Sequence, residues 1–142
     1  MTHTNDPRVI RRLLTTPATW AVVGLSTDRA RAAYGVAEWM RTTLGHRTIP
    51  IHPRAEQVAG EPGYRRLAEV PDGTVVAVVD CFVNSAHVGA VVDDAIAERE
   101  RLRIDAVWLQ LGVVDQAAAA RAADAGLQVV MNTCPKIEYP RA

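Results

Sequence analysis

The chain has 142 residues, 49% of them hydrophobic and 23% charged. That is one domain's worth of sequence, with enough apolar material for a packed core. Its 16 basic and 16 acidic residues cancel, which argues against a basic nucleic-acid binder and against a polybasic membrane anchor.

Lys136 is the only lysine and Phe82 the only phenylalanine. A Walker A phosphate loop, which needs a lysine after its glycines, is therefore excluded, and a base-stacking RNA platform is disfavoured. Cys81 and Cys134 fit a reducing interior better than a disulfide scaffold. The start of the chain lacks the apolar core of a signal peptide, and no apolar run approaches membrane-spanning length. The expected location is the cytoplasm.

Asp6-Pro7 followed by Val9, Ile10, Leu13 and Leu14 predicts a helix with an Asp N-cap and proline at its first position, ended by Pro17. Trp20–Gly24 is apolar without alternation, as a strand buried on both faces must be. A polar loop, Ser26 to Ala33, leads to a helix carrying Val36, Ala37, Met40 and Leu44 and closed by Gly45. Thr48–Ile51 predicts a short second strand, near an edge because of Pro50. After a loop from His52 to Gly63, Tyr64–Val70 predicts one or two helical turns. Val75–Val79 predicts a third strand. Ser85 is placed to cap a helix carrying Val88, Val91, Val92, Ala95 and Ile96. Ala106–Leu109 predicts a fourth strand, Asp115 to Gly126 an alanine-rich helix, and Leu127–Met131 a fifth strand. The tail, residues 132–142, has two prolines and no periodicity.

Strands alternating with helices imply right-handed crossovers and a doubly wound, Rossmann-like parallel sheet in a single domain, 1–142, with a leading helix in 1–17. The expected strand order is 3-2-1-4-5. It puts the third and fifth strands at opposite edges, four spacings or about 19 Å apart. Cys81 and Cys134 are then too distant for a disulfide.

The unusual residues fall just past strand ends. Gly24-Leu-Ser26 follows the first strand, His52-Pro53-Arg54 the second, Asp80 to Asn84 the third, Gln110-Leu-Gly112 the fourth, and Asn132 to Lys136 the fifth. That edge of an open α/β sheet is where ligands bind. Gly24 and Ser26 let backbone approach a ligand, and the next helix, starting near Tyr34-Gly35, presents free N–H groups suited to phosphate. Arg29 and Arg31 add charge there. The loop is not G-x-G-x-x-G, because Ser26 stands at the second glycine. Where a nicotinamide enzyme places a ribose-binding carboxylate, this chain has His52, Pro53 and Arg54, and Arg54 suits a ribose phosphate. An ordinary turn with solvated arginines remains the alternative. Asp80, Cys81 and His87 make a poor nucleophile–base set, and no metal-ligand spacing surrounds His52.

These motifs resemble the small stand-alone CoA-binding domain proteins of bacteria, relatives of the nucleotide-binding domain of the succinyl-CoA synthetase alpha subunit. The resemblance rests on Ala21-Val-Val-Gly24-Leu-Ser26, Arg31 with Tyr34-Gly35-Val36, Ile49-Pro-Ile51 with Pro53-Arg54, and Asp80 with Phe82. Trp108-Leu-Gln110-Leu-Gly112 and Cys134-Pro-Lys136-Ile-Glu138-Tyr139 complete it. It implies binding of coenzyme A or an acyl-CoA, in a non-catalytic or regulatory role. It places Gly24, Ser26, Arg31 and Tyr34 on the phosphate side and Pro53 and Arg54 near the 3′-phosphorylated ribose, with Gly35 and His52 counted among the cofactor-binding residues. Phe82 borders the adenine, and Gln110 and Gly112 bound the pantetheine arm. Two departures stand out. His52 replaces the family's Asn, and Val83 and Asn84 replace the arginines that often follow the aromatic. A nicotinamide-nucleotide enzyme, or an interaction module forming a homodimer or joining another protein, remains open as an alternative.

Overall fold

Asp6 accepts a hydrogen bond from the Arg8 N–H (2.9 Å) and starts helix α1, Pro7–Thr15. The structure, a computed structural model, describes residues 2–142. Strand β1, Thr19–Val23, follows, then α2, Ala32–Trp39. The α-helix gives way to a π-helical turn, Met40–Leu44, which Gly45 ends in the left-handed conformation at φ 73°. The remaining elements are β2 (Arg47–Ile51), β3 (Val78–Cys81), α3 (Val88–Glu98), β4 (Ala106–Leu109), α4 (Gln116–Asp124), β5 (Gln128–Met131) and the short α5 (Pro135–Glu138), with single 3-10 turns at Leu67–Glu69, within the predicted Tyr64–Val70 segment, and at Tyr139–Arg141. The tail therefore has more structure than its composition predicts.

All four ladders are parallel. The strand order is β2-β1-β3-β4-β5, so the doubly wound α/β architecture stands while the order 3-2-1-4-5 does not. The third strand lies between β1 and β4. Its apolar burial on both faces fits that central position as well as it fits any other, which is why composition alone misplaces it. Its span differs too. Val75 is half exposed, and the N–H groups of Val76 and Ala77 bond to Leu102 and Thr19 ahead of the ladder. Asp80 and Cys81 are thus strand residues, not loop residues. Ser85 does not cap α3. Its hydroxyl donates to the Gly112 carbonyl and accepts from the Val114 N–H, tying the β3 loop to the β4 loop. The Asn84 side chain instead accepts from the His87 N–H at the start of α3.

Two apolar layers enclose the sheet. Trp20, Val22, Val78 and Trp108 face α1 and α2. Ala21, Ile49, Val79, Cys81 and Leu109 face α3 and α4. Trp20 and Trp108 meet at 5.5 Å between ring centroids, fully buried, an aromatic pair that stabilises beyond its buried area by about 1 kcal/mol. The Trp108 Nε1–H donates to the Thr133 carbonyl (2.9 Å) and pins the tail beneath the sheet. Cys81 and Cys134 pack on opposite faces and are both free thiols. The sheet itself separates them, rather than the 19 Å expected from the other strand order.

His46 is buried against Trp20, with ring centroids 5.1 Å apart. Its Nδ1 accepts the Ala18 N–H (3.1 Å), which requires the neutral ring, and burial lowers its pKa below 6.5. The unfolded chain then takes up a proton first as pH falls, so this group's contribution is present above 6.5 and lost on acidification. We expect the stability difference between His46→Asn and wild type to move in the variant's favour as pH falls below 6.5 in urea titrations, because Asn keeps an acceptor and cannot charge. A pH-independent difference contradicts this role.

Candidate functional site

The winding of the chain reverses between β1 and β3. The helix after β1 packs on one face, and the helix after β3 packs on the other. The two loops diverge and leave a crevice at the carboxyl ends of the strands. Gly24 sits at its floor with φ 104°, its N–H bonded to the Ile51 carbonyl (2.8 Å). A Cβ on Gly24 would stand 2.5 Å from the Phe82 carbonyl oxygen, so glycine is required by both space and conformation.

Above this floor lies an open cleft of about 630 Å³. Gly24, Ser26, Asp28, Arg31, Ala32 and Ala33 line it from the β1 side, and Ile51, His52, Pro53, Arg54 and Arg65 from the β2 side. Phe82, Val83, Gln110, Leu111 and Val113 line it from β3 and β4. Arg65 arrives through long-range pairing: Tyr64 bridges to Ile51, donates to the Pro50 carbonyl and accepts from the His52 N–H. The three arginines gather at the β1–β2 end, and the β3–β4 end is apolar apart from Gln110.

The first turn of α2 has no side-chain cap, and Ala32 and Ala33 lie on the cleft wall. Unsatisfied N–H groups and the positive end of the helix dipole thus face the cleft. Each arginine there has a carboxylate neighbour: Arg31 with Asp28 at 3.7 Å, Arg54 with Glu56 at 3.3 Å, Arg65 with Glu69 at 3.1 Å. These are exposed pairs that hold little energy and yield to a stronger anion. Glu56 also accepts from the Thr27 N–H and hydroxyl, and the backbone bond holds its carboxyl below the usual range. His52 is kept neutral by partial burial and by Arg54, and its Nδ1 accepts the Arg54 N–H (3.1 Å).

Behind Gln110 lies Asp80, a fully buried carboxyl in β3. Its Oδ1 accepts from the Gln110 Nε2 at 2.5 Å, and its Oδ2 has no partner. Burial pushes its pKa up to about 7 against the partial relief given by Gln110.

Residues 18–140 match the model of the CoA binding domain. The chain belongs to the CoA binding domain family. A protein of Bacillus subtilis (strain 168), YneT, described as uncharacterized, is 29% identical over 132 residues, spanning 92% of this chain and 91% of that one. A hypothetical protein from Pyrococcus horikoshii OT3 superposes with a TM-score of 0.83 at 29% identity, covering 99% of this chain and 98% of that one. The dinucleotide forming acetyl-coenzyme A synthetase 1 of Ca. Korarchaeum cryptofilum, in complex with phosphate and ADP, gives a TM-score of 0.68 at 24% identity. The match covers 89% of this chain and 27% of that one, and at this identity it shows the fold alone.

Of the residues singled out in this CoA binding domain sequence, the structure brings Gly24, Ser26, Arg31, His52, Pro53, Arg54, Phe82 and Gln110 to one cleft. Tyr34, Gly35 and Gly112 do not line it. Tyr34 turns toward the α1–α2 layer with the Arg29 guanidinium over its ring at 5.5 Å. Gly35 has open space around its Cα within α2. Gly112 makes a left-handed turn at φ 83° and donates to the Asn132 side chain. Arg65 and Glu56 give no local signal in the sequence, because neither follows directly on a strand end.

Two outcomes follow. Gly24→Ala is expected to cost about 2–4 kcal/mol in urea unfolding, through strain and the clash with Phe82; a loss below 1 kcal/mol contradicts the tight floor. Asp80 binds a proton more tightly folded than unfolded, so its contribution declines as pH rises from 3.8 through about 7. Asp80→Asn should therefore gain on wild type by a few kcal/mol between about pH 4 and pH 8, and a constant difference contradicts the buried charge.

Proposed function

We propose that the cleft binds coenzyme A or an acyl-CoA in a non-catalytic or regulatory role. The observation that carries the reading is the uncapped α2 N-terminus with Arg31, Arg54 and Arg65 around one cleft, in a chain of the CoA binding domain family. Backbone N–H groups and guanidinium forks suit several phosphate groups at once. Phe82 offers a flat apolar surface to a base, and Val83, Leu111 and Val113 offer an apolar path to a long arm.

A binding role is favoured by the lining's own chemistry. Arginine does not exchange protons near neutral pH. His52, the lining residue best suited to proton transfer, has its Nδ1 lone pair committed to the Arg54 N–H.

Calorimetric titration with CoA, acetyl-CoA, NAD and NADP tests the reading. CoA or its ester is expected to bind, and Arg54→Ala to weaken binding by about tenfold, the worth of one charge-assisted contact. Glu56→Gln, which relieves Thr27 and Arg54 of a competing carboxylate, is expected to strengthen binding a few-fold. NADP binding without any response to millimolar CoA overturns the proposal.

A further inference from the structure

Asp80 is unusual among the acidic residues of this chain. It is fully buried, makes no ion pair among the described residues, and receives one hydrogen bond, from the Gln110 amide. Its surroundings are the apolar α1–α2 layer, with Val22, Val78 and Trp108 on its own and the neighbouring strands. Its charge acts on the thiols of Cys81 and Cys134, which burial pushes up and the carboxylate pushes up further. Nothing in fold stability favours a carboxyl here, since leaving one buried and half-satisfied costs free energy.

Its one partner gives the reason. Gln110 lies on the cleft wall, and its backbone is locked by its carbonyl accepting the Val113 N–H (2.8 Å). An amide has two ends of opposite character. An oxygen of Asp80 attracts the NH₂ end. The Oε1 end, which has no partner among the described residues, then opens onto the cleft.

We propose that Asp80 is a positioning residue that holds the Gln110 amide with its oxygen toward the cleft, so that the β3–β4 end recognises a ligand N–H, specifically a secondary amide of a pantetheine arm. The ligand class rests on the CoA reading above; the positioning does not. The location agrees with it. The arginines that suit phosphate lie at the β1–β2 end, whereas Gln110 is, among the described residues, the only polar lining side chain at the β3–β4 end. An amide-bearing arm running away from the phosphates meets one acceptor among apolar walls.

The test has two arms. The first needs no ligand. Hydrogen exchange of the Gln110 side-chain NH₂, followed by nitrogen-15 NMR, should be slow in wild type and in Asp80→Asn, which keeps an acceptor oxygen. It should be at least about tenfold faster in Asp80→Leu, which keeps bulk and removes the acceptor. Equal exchange in all three overturns the positioning role. The second arm compares CoA with adenosine 3′,5′-bisphosphate, which carries phosphates and base but no amide. Asp80→Leu should weaken CoA by about tenfold and leave the bisphosphate unchanged, with Asp80→Asn close to wild type for both. Equal loss for both ligands, or none, overturns the amide-recognition role. Binding of neither ligand by wild type overturns the CoA reading and the ligand class with it, while the exchange arm still decides the positioning. Melting curves of each variant confirm that folded protein is compared.

Discussion

The site depends on one steric constraint, the contact of backbone with backbone at the carboxyl ends of β1 and β3. Gly24 approaches the Phe82 carbonyl so closely that a single methyl group would collide with it. The approach is possible because β1 and β3 are paired neighbours whose following segments leave toward opposite faces of the sheet. The same divergence that opens the crevice also aims the N-terminus of α2 into it. Any ligand at this edge therefore meets N–H groups that no side chain has capped.

Charge and apolarity are then distributed by topology. The β2 loop and the segment from Tyr64 bring Arg54 and Arg65 to one end, and the β4 loop brings Leu111 and Val113 to the other. The arginines are partnered by surface carboxylates that hold them in place without committing them, since exposed pairs of this kind contribute little. Gln110 is the exception to the division, a polar group at the apolar end whose orientation is set from behind by a buried carboxyl. A polar group held in place at an apolar end is the kind of feature that selects among ligands rather than adding affinity for all of them.

Much of this is legible in the sequence, for physical reasons. The caps of α1 and α4 are written in Asp6 and Asp115, whose side chains accept backbone N–H groups two or three residues on. The five strands show as mainly apolar runs because a parallel sheet covered on both faces buries most of its side chains. Eight residues chosen for their place after strands do meet in one cleft. The strand order was not legible, because β1, β3 and β4 are equally apolar and only packing decides which lies between the others. The onset of β3 is not legible either, because Val75 and Val76 read as strand, yet Val75 is exposed and Val76 pairs outside the ladder. Asp80 reads as a loop residue for the same reason, and its burial behind Gln110 is a contact across 30 residues that no local pattern records. Arg65 is hidden likewise, brought to the cleft by pairing with β2.

The central claim is that a phosphorylated nucleotide lies across the β1–β2 end and its arm runs toward β4. A crystal structure of the protein grown with coenzyme A tests it most directly. The account predicts phosphate oxygens on the N–H groups that open α2 and on the Arg54 guanidinium, with the arm passing Gln110. Density for the ligand outside this cleft, or with its arm leading away over β2, contradicts it.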